Sequence, residues 1–365
     1  MATTQIPWTT GSGNITLTYT GQGNGTITVR SSDNYLTENR SQIITVSGGG
    51  ITRQVTVTQE ANAYAQQYLT FVARESGSFA LSRNAVQYSL DGGSTWTTLA
   101  ANTNSPTVTA GNKIMWKGNL TPATNYGIGK FKSDGKYDVE GNIMSLLYGS
   151  NFRNQYSLEG KSNAFQTLFN GSKVINAENI VLPATTLSSV CYQAMFAFST
   201  YLQKTPKILP AEVCTQYCYD SMFAGCTSLV YTPKICATTL ADDCYSYMFY
   251  QCTSLVYAPR IIATSLASRC CAYMFYECTS LTTSPVLYAT TLVNKCYNQM
   301  FYGCTNLNVV FALFTTTPDS SVTANWLYGV AATGMFYKNP NATWSVSGAD
   351  GVPSGWRIRN YDEDV

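Results

Sequence analysis

Short runs of alternating apolar and polar residues fill the N-terminal part of the chain and predict β-strands. The runs lie at residues 15–19, 26–29, 43–46 and 55–58. Glycine-rich segments at 21–25 and 48–50 separate them and predict turns. Short strands joined by such turns are typical of a small antiparallel β-sandwich, so we assign residues 1–62 to a first β domain. Residues 63–67 follow as a linker.

A second strand-like segment covers residues 68–122, which we interpret as another small β domain. Its predicted strands lie at 68–72, 85–90 and 113–116. Residues 89–96 match the Asp-box pattern S-x-D-x-G-x-T-W, a hairpin turn in which Asp91 accepts local backbone hydrogen bonds and Trp96 packs beneath. Sialidases carry several such boxes, but one copy without an arginine cluster indicates a hairpin and not a catalytic site.

The strongest pattern is a repeat of 26 to 27 residues in the second half of the chain. A Met-Phe pair marks each unit at 195/196, 222/223, 248/249, 274/275 and 300/301. Leu168-Phe169 is an earlier, degenerate copy. Two cysteine positions repeat with the pair, as Cys191, Cys218, Cys244, Cys270 and Cys296, and as Cys226, Cys252, Cys278 and Cys304.

Within one unit, apolar residues recur every four positions, at Leu240, Cys244, Met248 and Cys252, which predicts one stripe of a short helix. Leu255 then leads into an extended segment. A single unit cannot bury its apolar face, whereas stacked units can. Each coil of the predicted solenoid therefore has one strand and one helical or 3₁₀ turn, with the apolar stripe inside.

The repeat resembles the BspA-like subfamily of leucine-rich repeats. The resemblance is carried by MF-x-x-C-T-S-L blocks at 222–229, 248–255 and 274–281, with Asn306 in place of serine in the block at 300–307. Residues 40–59 resemble the end of BACON domains, Ig-like modules common in gut Bacteroidetes and in phages that infect them. The BACON resemblance implies a spacer or binding module and not an enzyme.

The predicted fold class is mainly β with an α/β solenoid. Two small β-sandwich modules, 1–62 and 68–122, precede a BspA-like leucine-rich repeat solenoid with its N-terminal cap over 123–312. Residues 313–365 form the predicted C-terminal cap and an acidic tail.

Composition narrows the possible functions. The formal net charge is +2 and only 12% of residues are charged, which argues against the basic footprint of a nucleic-acid-binding protein. The chain has no histidine, which excludes histidine bases, Ser/Cys–His triads and histidine metal ligands. We find neither a signal peptide nor a run of ~20 apolar residues, so we expect synthesis in a reducing cytoplasm without membrane insertion.

The twelve cysteines all lie between Cys191 and Cys304. Within a unit they are eight residues apart, as in Cys244 and Cys252, whereas zinc sites favour shorter spacings and four ligands. Stacked units would form two thiol ladders with rungs ~5 Å apart. We expect reduced, metal-free thiols that pack as small hydrophobic groups, with disulfides and zinc as alternatives. We expect no cofactor.

Carboxylates provide little catalytic potential. A glycosidase needs two carboxyl groups about 5–9.5 Å apart. Asp242 and Asp243 form the tight pair of the repeats, but they fall in the first turn of the predicted helix, where negative charge suits the helix dipole. No glycine-rich phosphate loop follows a predicted strand. We therefore expect no enzymatic activity and assign no catalytic, cofactor-binding or metal-binding residues.

Two columns of the stacked units are candidates for ligand binding, and together we call them the Tyr–Lys stripe. The stripe consists of Lys204, Lys207, Tyr231, Lys234, Tyr257 and Arg260. Tyrosine offers a flat face and a hydroxyl to sugar rings or protein loops, and the basic residues favour an anionic glycan. Duplication of a tolerated surface residue would give the same pattern, so both interpretations stay open. A second tyrosine column contains Tyr250, Tyr276 and Tyr302.

The resemblances suggest a non-enzymatic structural and adhesion protein, a phage virion fibre or capsid-decoration protein. In the virion it would be assembled in the host cytoplasm and would contact other capsid or tail proteins. We expect a homo-oligomer, with a trimer as one form, whose repeats bind a glycan or protein on the host surface. A bacterial cell-surface adhesin is the alternative, and a glycan-active enzyme a more distant one.

Overall fold

A computed structural model describes residues 2–7, 14–19, 27–31, 34, 38–48, 51–289, 292–315, 318, 320–344 and 347–362. The protein is mainly β, with about 5% of its residues in helices and a solenoid of about six turns in the C-terminal part. The chain forms two compact units, residues 1–67 and 68–365. No helix in the described part of the chain is long and apolar enough to cross a membrane.

The first unit contains two groups of antiparallel strands. β1 (Ala2–Pro7), β2 (Asn14–Tyr19) and β3 (Ile27–Ser31) form a sheet in that order. β4 (Arg40–Gly48) and β5 (Ile51–Gln59) form an antiparallel pair, and a 3₁₀ helix (Ala63–Gln66) occupies the predicted linker.

The sequence predicted four of these five strands and missed β1. The turn predicted at 21–25 lies outside the described residues, as do Gly49 and Gly50 of the second predicted turn. The antiparallel pairing is observed, whereas the arrangement of these strands as a sandwich stays a prediction.

The second unit begins with a six-stranded sheet in the order β13-β12-β6-β10-β8-β9. Its strands are β6 (Leu69–Ala73), β8 (Val86–Ser89), β9 (Thr97–Leu99), β10 (Lys113–Lys117), β12 (Tyr137–Asn142) and β13 (Val174–Val181). β7 (Phe79–Leu81) and β11 (Phe131–Ser133) form a separate pair. A short helix α1 (Ser145–Tyr148) and a 3₁₀ helix (Gly149–Asn151) follow β12.

This sheet crosses the boundary that the sequence placed at residue 122. β12 pairs with β6 on one side and with β13 on the other, so strands from both sides of that position share one sheet. The same core joins them, because Phe71 of β6 packs against the rings of Phe131 and Tyr137 at 4.8 Å. Residues 68–122 therefore belong to the compact unit that also contains the solenoid.

Each coil of the solenoid is centred on one buried residue. The six coils contain Leu168, Met195, Met222, Met248, Met274 and Met300, and Trp326 takes the same place in the cap beyond them. Two short strands, β14 (Ile208–Leu209) and β15 (Lys234–Ile235), pair in parallel. β16 (Thr283–Leu287), β17 (Val309–Ala312), β18 (Gly334–Lys338) and β19 (Trp356–Asn360) form a parallel sheet, which continues past the cap boundary predicted at 312.

The α-helix predicted for each coil does not form in the described residues, and a series of overlapping turns takes its place, with the i→i−3 hydrogen bonds of the 3₁₀ alternative but without a continuous 3₁₀ helix. In the Met248 coil, N–H groups alternate between two kinds of acceptor. Those of Cys244, Ser246, Met248, Tyr250 and Cys252 close turns onto the carbonyl three residues earlier. Those of Asp243, Tyr245, Tyr247, Phe249 and Gln251 donate to the next coil at 2.7–3.0 Å. Half of the backbone donors thus bind between coils, which an α-helix does not allow.

The turns impose a strict four-residue period on the backbone. Asp243, Tyr247 and Gln251 each have φ of 56°, a conformation that is unfavourable for residues with a Cβ. Glycine takes the position of Gln251 in three other coils, as Gly171, Gly225 and Gly303, and in the cap, as Gly329. A Cβ at Gly225 would also lie 2.5 Å from the ring of Phe198, so the exposed phenylalanine would have to shift.

The interior of the solenoid follows the sequence prediction. Met248, Phe249, Cys252 and Leu255 are fully buried, as are their counterparts in the neighbouring coils. The repeated phenylalanines stack in one column from Phe169 to Phe301, with ring centroids 5.2–5.7 Å apart. This column forms a continuous apolar core along the repeats.

Other segments cover the turn side of the stack at both ends. At the first coil, the Phe131 N–H donates to the Leu168 carbonyl at 2.8 Å. At the other end, a four-residue helix α2 (Ser320–Thr323) precedes Trp326, whose indole N–H donates to the Gly351 carbonyl at 2.9 Å, beside a 3₁₀ helix (Gly348–Asp350). On the strand side, β19 forms the edge of the parallel sheet in the described part of the chain.

Candidate ligand-binding surfaces of the solenoid

The structure brings together the two tyrosines of the Tyr–Lys stripe. Tyr231 and Tyr257 lie in adjacent coils, and each is 57% exposed. Their rings stack with centroids 5.2 Å apart and planes 5° apart. Each ring covers one face of the other, so the pair presents edges, hydroxyls and its two outer faces. The flat face expected for sugar stacking is thus reduced to one face of each ring.

The basic residues of the stripe differ in their surroundings. Lys204 forms an ion pair with Glu178, with Nζ 2.9 Å from Oε2. Lys207, Lys234 and Arg260 are exposed, and no ion pair involves them within the described residues. The backbone places Lys207 and Lys234 in neighbouring coils, because the Lys234 N–H donates to the Lys207 carbonyl at 2.9 Å. Three cations therefore remain available beside the tyrosine pair.

A larger aromatic surface lies on the turn side of the solenoid, and we call it the tyrosine ladder. One column consists of Tyr250, Tyr276, Tyr302 and Tyr328, with centroids 4.7–5.0 Å apart. A second column, Tyr247 and Tyr273, stacks at 4.4 Å and contacts the first. Because both faces of Tyr276 and Tyr302 are covered by neighbouring rings, these two tyrosines offer only edges and hydroxyls.

Two tyrosines of the ladder, Tyr247 and Tyr276, have a raised pKa. Partial burial, and then the neighbouring Tyr273, raise the pKa of Tyr247 to about 12. Burial, and then the Glu277 carboxylate, raise the pKa of Tyr276 above its ordinary value. Glu277 accepts a hydrogen bond from the Gln251 side chain at 2.8 Å, which joins two coils beside the column. The surface thus combines ring edges with phenol donors.

Sequence reasoning found three members of the ladder and missed Tyr247, Tyr273 and Tyr328. The repeat spacing could have identified these three tyrosines, since Tyr273 follows Tyr247 by 26 residues and Tyr328 follows Tyr302 by 26. In the expected helix, residues 247 and 250 would also share a face. Tyr328 was missed because it lies in the region where the Met-Phe pair has already disappeared.

The second thiol ladder has a structural role in hydrogen bonding. Cys226, Cys252, Cys278 and Cys304 each donate from Sγ to the carbonyl of the phenylalanine in the preceding coil, at 2.9–3.1 Å. Ser199 occupies the same position one coil earlier, and its hydroxyl donates to the Phe169 carbonyl at 2.7 Å. Burial raises the pKa of Cys252 to about 12, which keeps this thiol protonated as the donor.

The remaining cysteines are also thiols in the structure. All twelve are free, and eleven are buried. Cys214, which the sequence placed outside the ladders, takes the place of Leu240, because Val213 pairs with Thr239 in the neighbouring coil. In the described part of the chain, no group of three or more cysteines and carboxylates is arranged to hold a metal ion. Their redox state in solution stays a prediction.

The aspartate pair of the repeats links coils. Both guanidinium bonds of Arg269 to Asp243 measure 2.8 Å, and Asp242 accepts the Ser268 N–H at 2.9 Å. The expected role at a helix N-terminus is wrong, since no helix forms there. Each carboxylate instead binds the next coil.

The Asp-box segment forms a hairpin between β8 and β9. Asp91 accepts the Thr95 N–H at 2.9 Å and its hydroxyl at 2.6 Å. The hydrogen bonds from Thr95, and then from Ser89, hold the pKa of Asp91 far below its ordinary value. The Trp96 indole donates to the Gly93 carbonyl at 3.0 Å, so these groups are used within the turn.

No protein-family model, curated protein or solved structure matches this chain. The likeness to BspA-like repeats and BACON domains therefore rests on the motifs of the sequence.

Proposed function

We propose that this chain is a non-enzymatic structural and adhesion protein that displays its solenoid to a glycan or protein on a host surface. The observation that carries the proposal is the stacked pair Tyr231 and Tyr257 beside three exposed cations. Side chains repeated in successive coils form a line, and a linear polymer can contact such a line at every rung. With many copies on one particle or cell, the weak contacts would together raise the overall affinity by ~10²–10⁴-fold over that of a single contact.

The sequence resemblances suggest where the protein displays its solenoid. BspA-like repeats behind a BACON-like module favour a virion fibre or capsid-decoration protein of a phage that infects Bacteroidetes. In this proposal the chain assembles as a homo-oligomer on capsid or tail proteins. A bacterial cell-surface adhesin is the alternative, because the same display would serve a cell equally well.

Particle composition tests the setting. We expect mass spectrometry of purified phage particles to detect the chain in stoichiometric amounts, and gold-labelled antibody to bind intact particles. Particles without the chain, together with its recovery from the bacterial envelope, would favour the adhesin instead. Hydrolysis of host glycans by the purified chain would contradict the non-enzymatic assignment.

The exposed cations make adsorption dependent on salt. Because Lys207, Lys234 and Arg260 are solvent-exposed, screening at high salt should weaken binding to an anionic glycan. We expect adsorption of the full chain to host cells to fall as NaCl rises from about 0.05 to 0.5 M, and the triple change Lys207→Gln, Lys234→Gln and Arg260→Gln to flatten this dependence. Lys136→Gln, in an ion pair with Glu75, is the matched control. Equal salt dependence in the triple variant would contradict the basic part of the stripe.

A further inference from the structure

A polar cavity lies on the outer face of the six-stranded sheet, on the side where β13 pairs with the coil that contains Lys204. It has a volume of about 190 Å³ and is lined by side chains from four adjacent strands or their ends. The polar lining consists of Arg74, Lys113, Asp138, Glu140, Asn176 and Asn179. Because these groups come from neighbouring strands of one sheet, their positions are fixed by the backbone pairing and not by a loop.

Two carboxylates are partly covered by the cations in this cavity. Asp138 and Glu140 alternate with the buried core residues Tyr137 and Val139 along β12, so both face the outer side of the sheet. Their side chains are each 11% exposed, whereas those of Arg74 and Lys113 are 57% and 53% exposed. Arg74 binds Asp138, and Lys113 Nζ lies 2.6 Å from Glu140 Oε1. The two ion pairs balance, so the cavity has no net charge.

Hydrogen-bonding capacity remains unused in the cavity. Both bonds from Arg74 go to Asp138 Oδ2, and Oδ1 is buried without a hydrogen-bond partner in the described part of the chain. Asn176 uses its side-chain oxygen to accept the Glu178 N–H at 2.8 Å. The side-chain amide of Asn179 takes part in no hydrogen bond among the described residues. An unpaired acceptor and side-chain amide donors thus line the same cavity as the two ion pairs.

We propose that this cavity binds a neutral polyhydroxylated ligand, a single sugar residue. Balanced charges give a metal ion or an anion no advantage, whereas a hydroxyl group can both donate to Asp138 and accept from an asparagine amide. Val72 would give the ring an apolar contact, and both ion pairs would stay in place. The site borders the Tyr–Lys stripe, because Asn176 of its lining pairs with Lys204 in the next coil, but neither stripe tyrosine lines the cavity and the proposal does not depend on the proposed function.

Ligand-observed NMR with the full chain tests the site. The probes are D-glucose, D-galactose, D-mannose, N-acetyl-D-glucosamine, L-fucose and L-rhamnose, each alone at millimolar concentration, with D-glucuronate and Ca²⁺ as charged comparisons. We expect saturable binding of at least one neutral sugar. Asn179→Ala, which keeps both ion pairs, and the isosteric Asp138→Asn should each weaken binding at least fivefold.

Glu75→Gln provides the matched control, because it breaks an ion pair at the end of β6 outside the cavity. It should leave sugar binding unchanged, and thermal unfolding should show that all variants are folded. Absence of binding by every neutral sugar would overturn the proposal. Equal affinity in the wild type and Asn179→Ala, or tighter binding of glucuronate or Ca²⁺ than of any neutral sugar, would overturn it as well.

Discussion

Several rows of stacked rings run along the solenoid, and the longest row inside it can be compared with the longest row outside it. The inner row contains Phe249 and its counterparts, with rings 5.2–5.7 Å apart, and the outer row contains Tyr250 and its counterparts, 4.7–5.0 Å apart. The stacking is similar although the residues are adjacent in sequence and face opposite sides. The spacing between coils therefore sets the stacking in both rows. The rows differ in burial, because the inner row lies in the core and the outer row is partly exposed to solvent.

A stacked aromatic ring is not always available to a ligand. An interior ring of either row has both faces covered, so it cannot offer a flat platform to a sugar. Tyr231 and Tyr257 form a row of two, which leaves one face of each uncovered by the other. A short row beside cations is thus a better candidate for glycan binding than the longer tyrosine ladder.

The largest expected effect separates the two rows directly. Phe249→Ala should lower the free energy of unfolding by about 3–5 kcal/mol, because it opens a cavity in the core. Tyr250→Ala, one residue later, should cost less than about 1 kcal/mol, since its ring is partly solvated. Urea unfolding followed by circular dichroism measures both. Similar losses in the two variants would show that the outer row also holds the fold together.

A smaller effect tests whether the inner thiols are hydrogen-bond donors or only apolar fillers. Cys252→Ala should lower the free energy of unfolding by about 2 kcal/mol, because both the sulfur volume and the bond to the Phe223 carbonyl are lost. Cys252→Ser should cost less, since Ser199 shows that a hydroxyl can make this bond. Ser199→Ala should cost more than the loss of this donor alone, because the Ser199 hydroxyl also accepts the Ser172 N–H at 3.2 Å. A serine variant less stable than the alanine variant would indicate a purely apolar role.

The smallest expected effect concerns the carboxyl group of Asp220, which is partly buried. Burial raises the pKa of Asp220 to about 6, despite hydrogen bonds from Gln193 and Ser221 that lower it. The folded protein therefore holds this proton more tightly than the unfolded chain, and stability falls as pH rises from about 4 to about 6. At pH 7 to 8, Asp220→Asn should be more stable than the wild type by about 1 kcal/mol. Thermal unfolding between pH 4 and 8 measures this difference, which should disappear near pH 4. A constant difference would contradict the assignment.

The sequence predicted the repeat and its interior because both depend on local spacing. Met248, Phe249, Cys252 and Leu255 are where a stacked repeat must bury them. Their spacing also held the reason why the helix prediction was wrong. A helix turns ~100° per residue, so positions four apart drift by ~40° at each step. Leu240, Cys244, Met248 and Cys252 keep a strict four-residue spacing, which fits four-residue turns better than a helix.

The polar cavity could not be predicted from local patterns. Its groups lie at Arg74, Lys113, Asp138 and Asn179, and only the pairing of β6 with β10 and β12, and of β12 with β13, brings them together. The domain boundary predicted at 122 was wrong for the same reason. Strands that are far apart in sequence pair with each other here, and no periodic pattern in the sequence indicates such pairing.

The most direct test of the display function measures adsorption and stability on the same protein. The double variant Tyr231→Ala, Tyr257→Ala is compared with Tyr126→Ala, an exposed tyrosine outside the coils that contacts Arg83. We predict that adsorption of the full chain to host cells falls at least tenfold in the double variant and is unchanged in the control, while the free energy of unfolding changes by less than about 1 kcal/mol in both. Unchanged adsorption in a folded double variant would contradict the account and leave the stripe as duplicated surface residues.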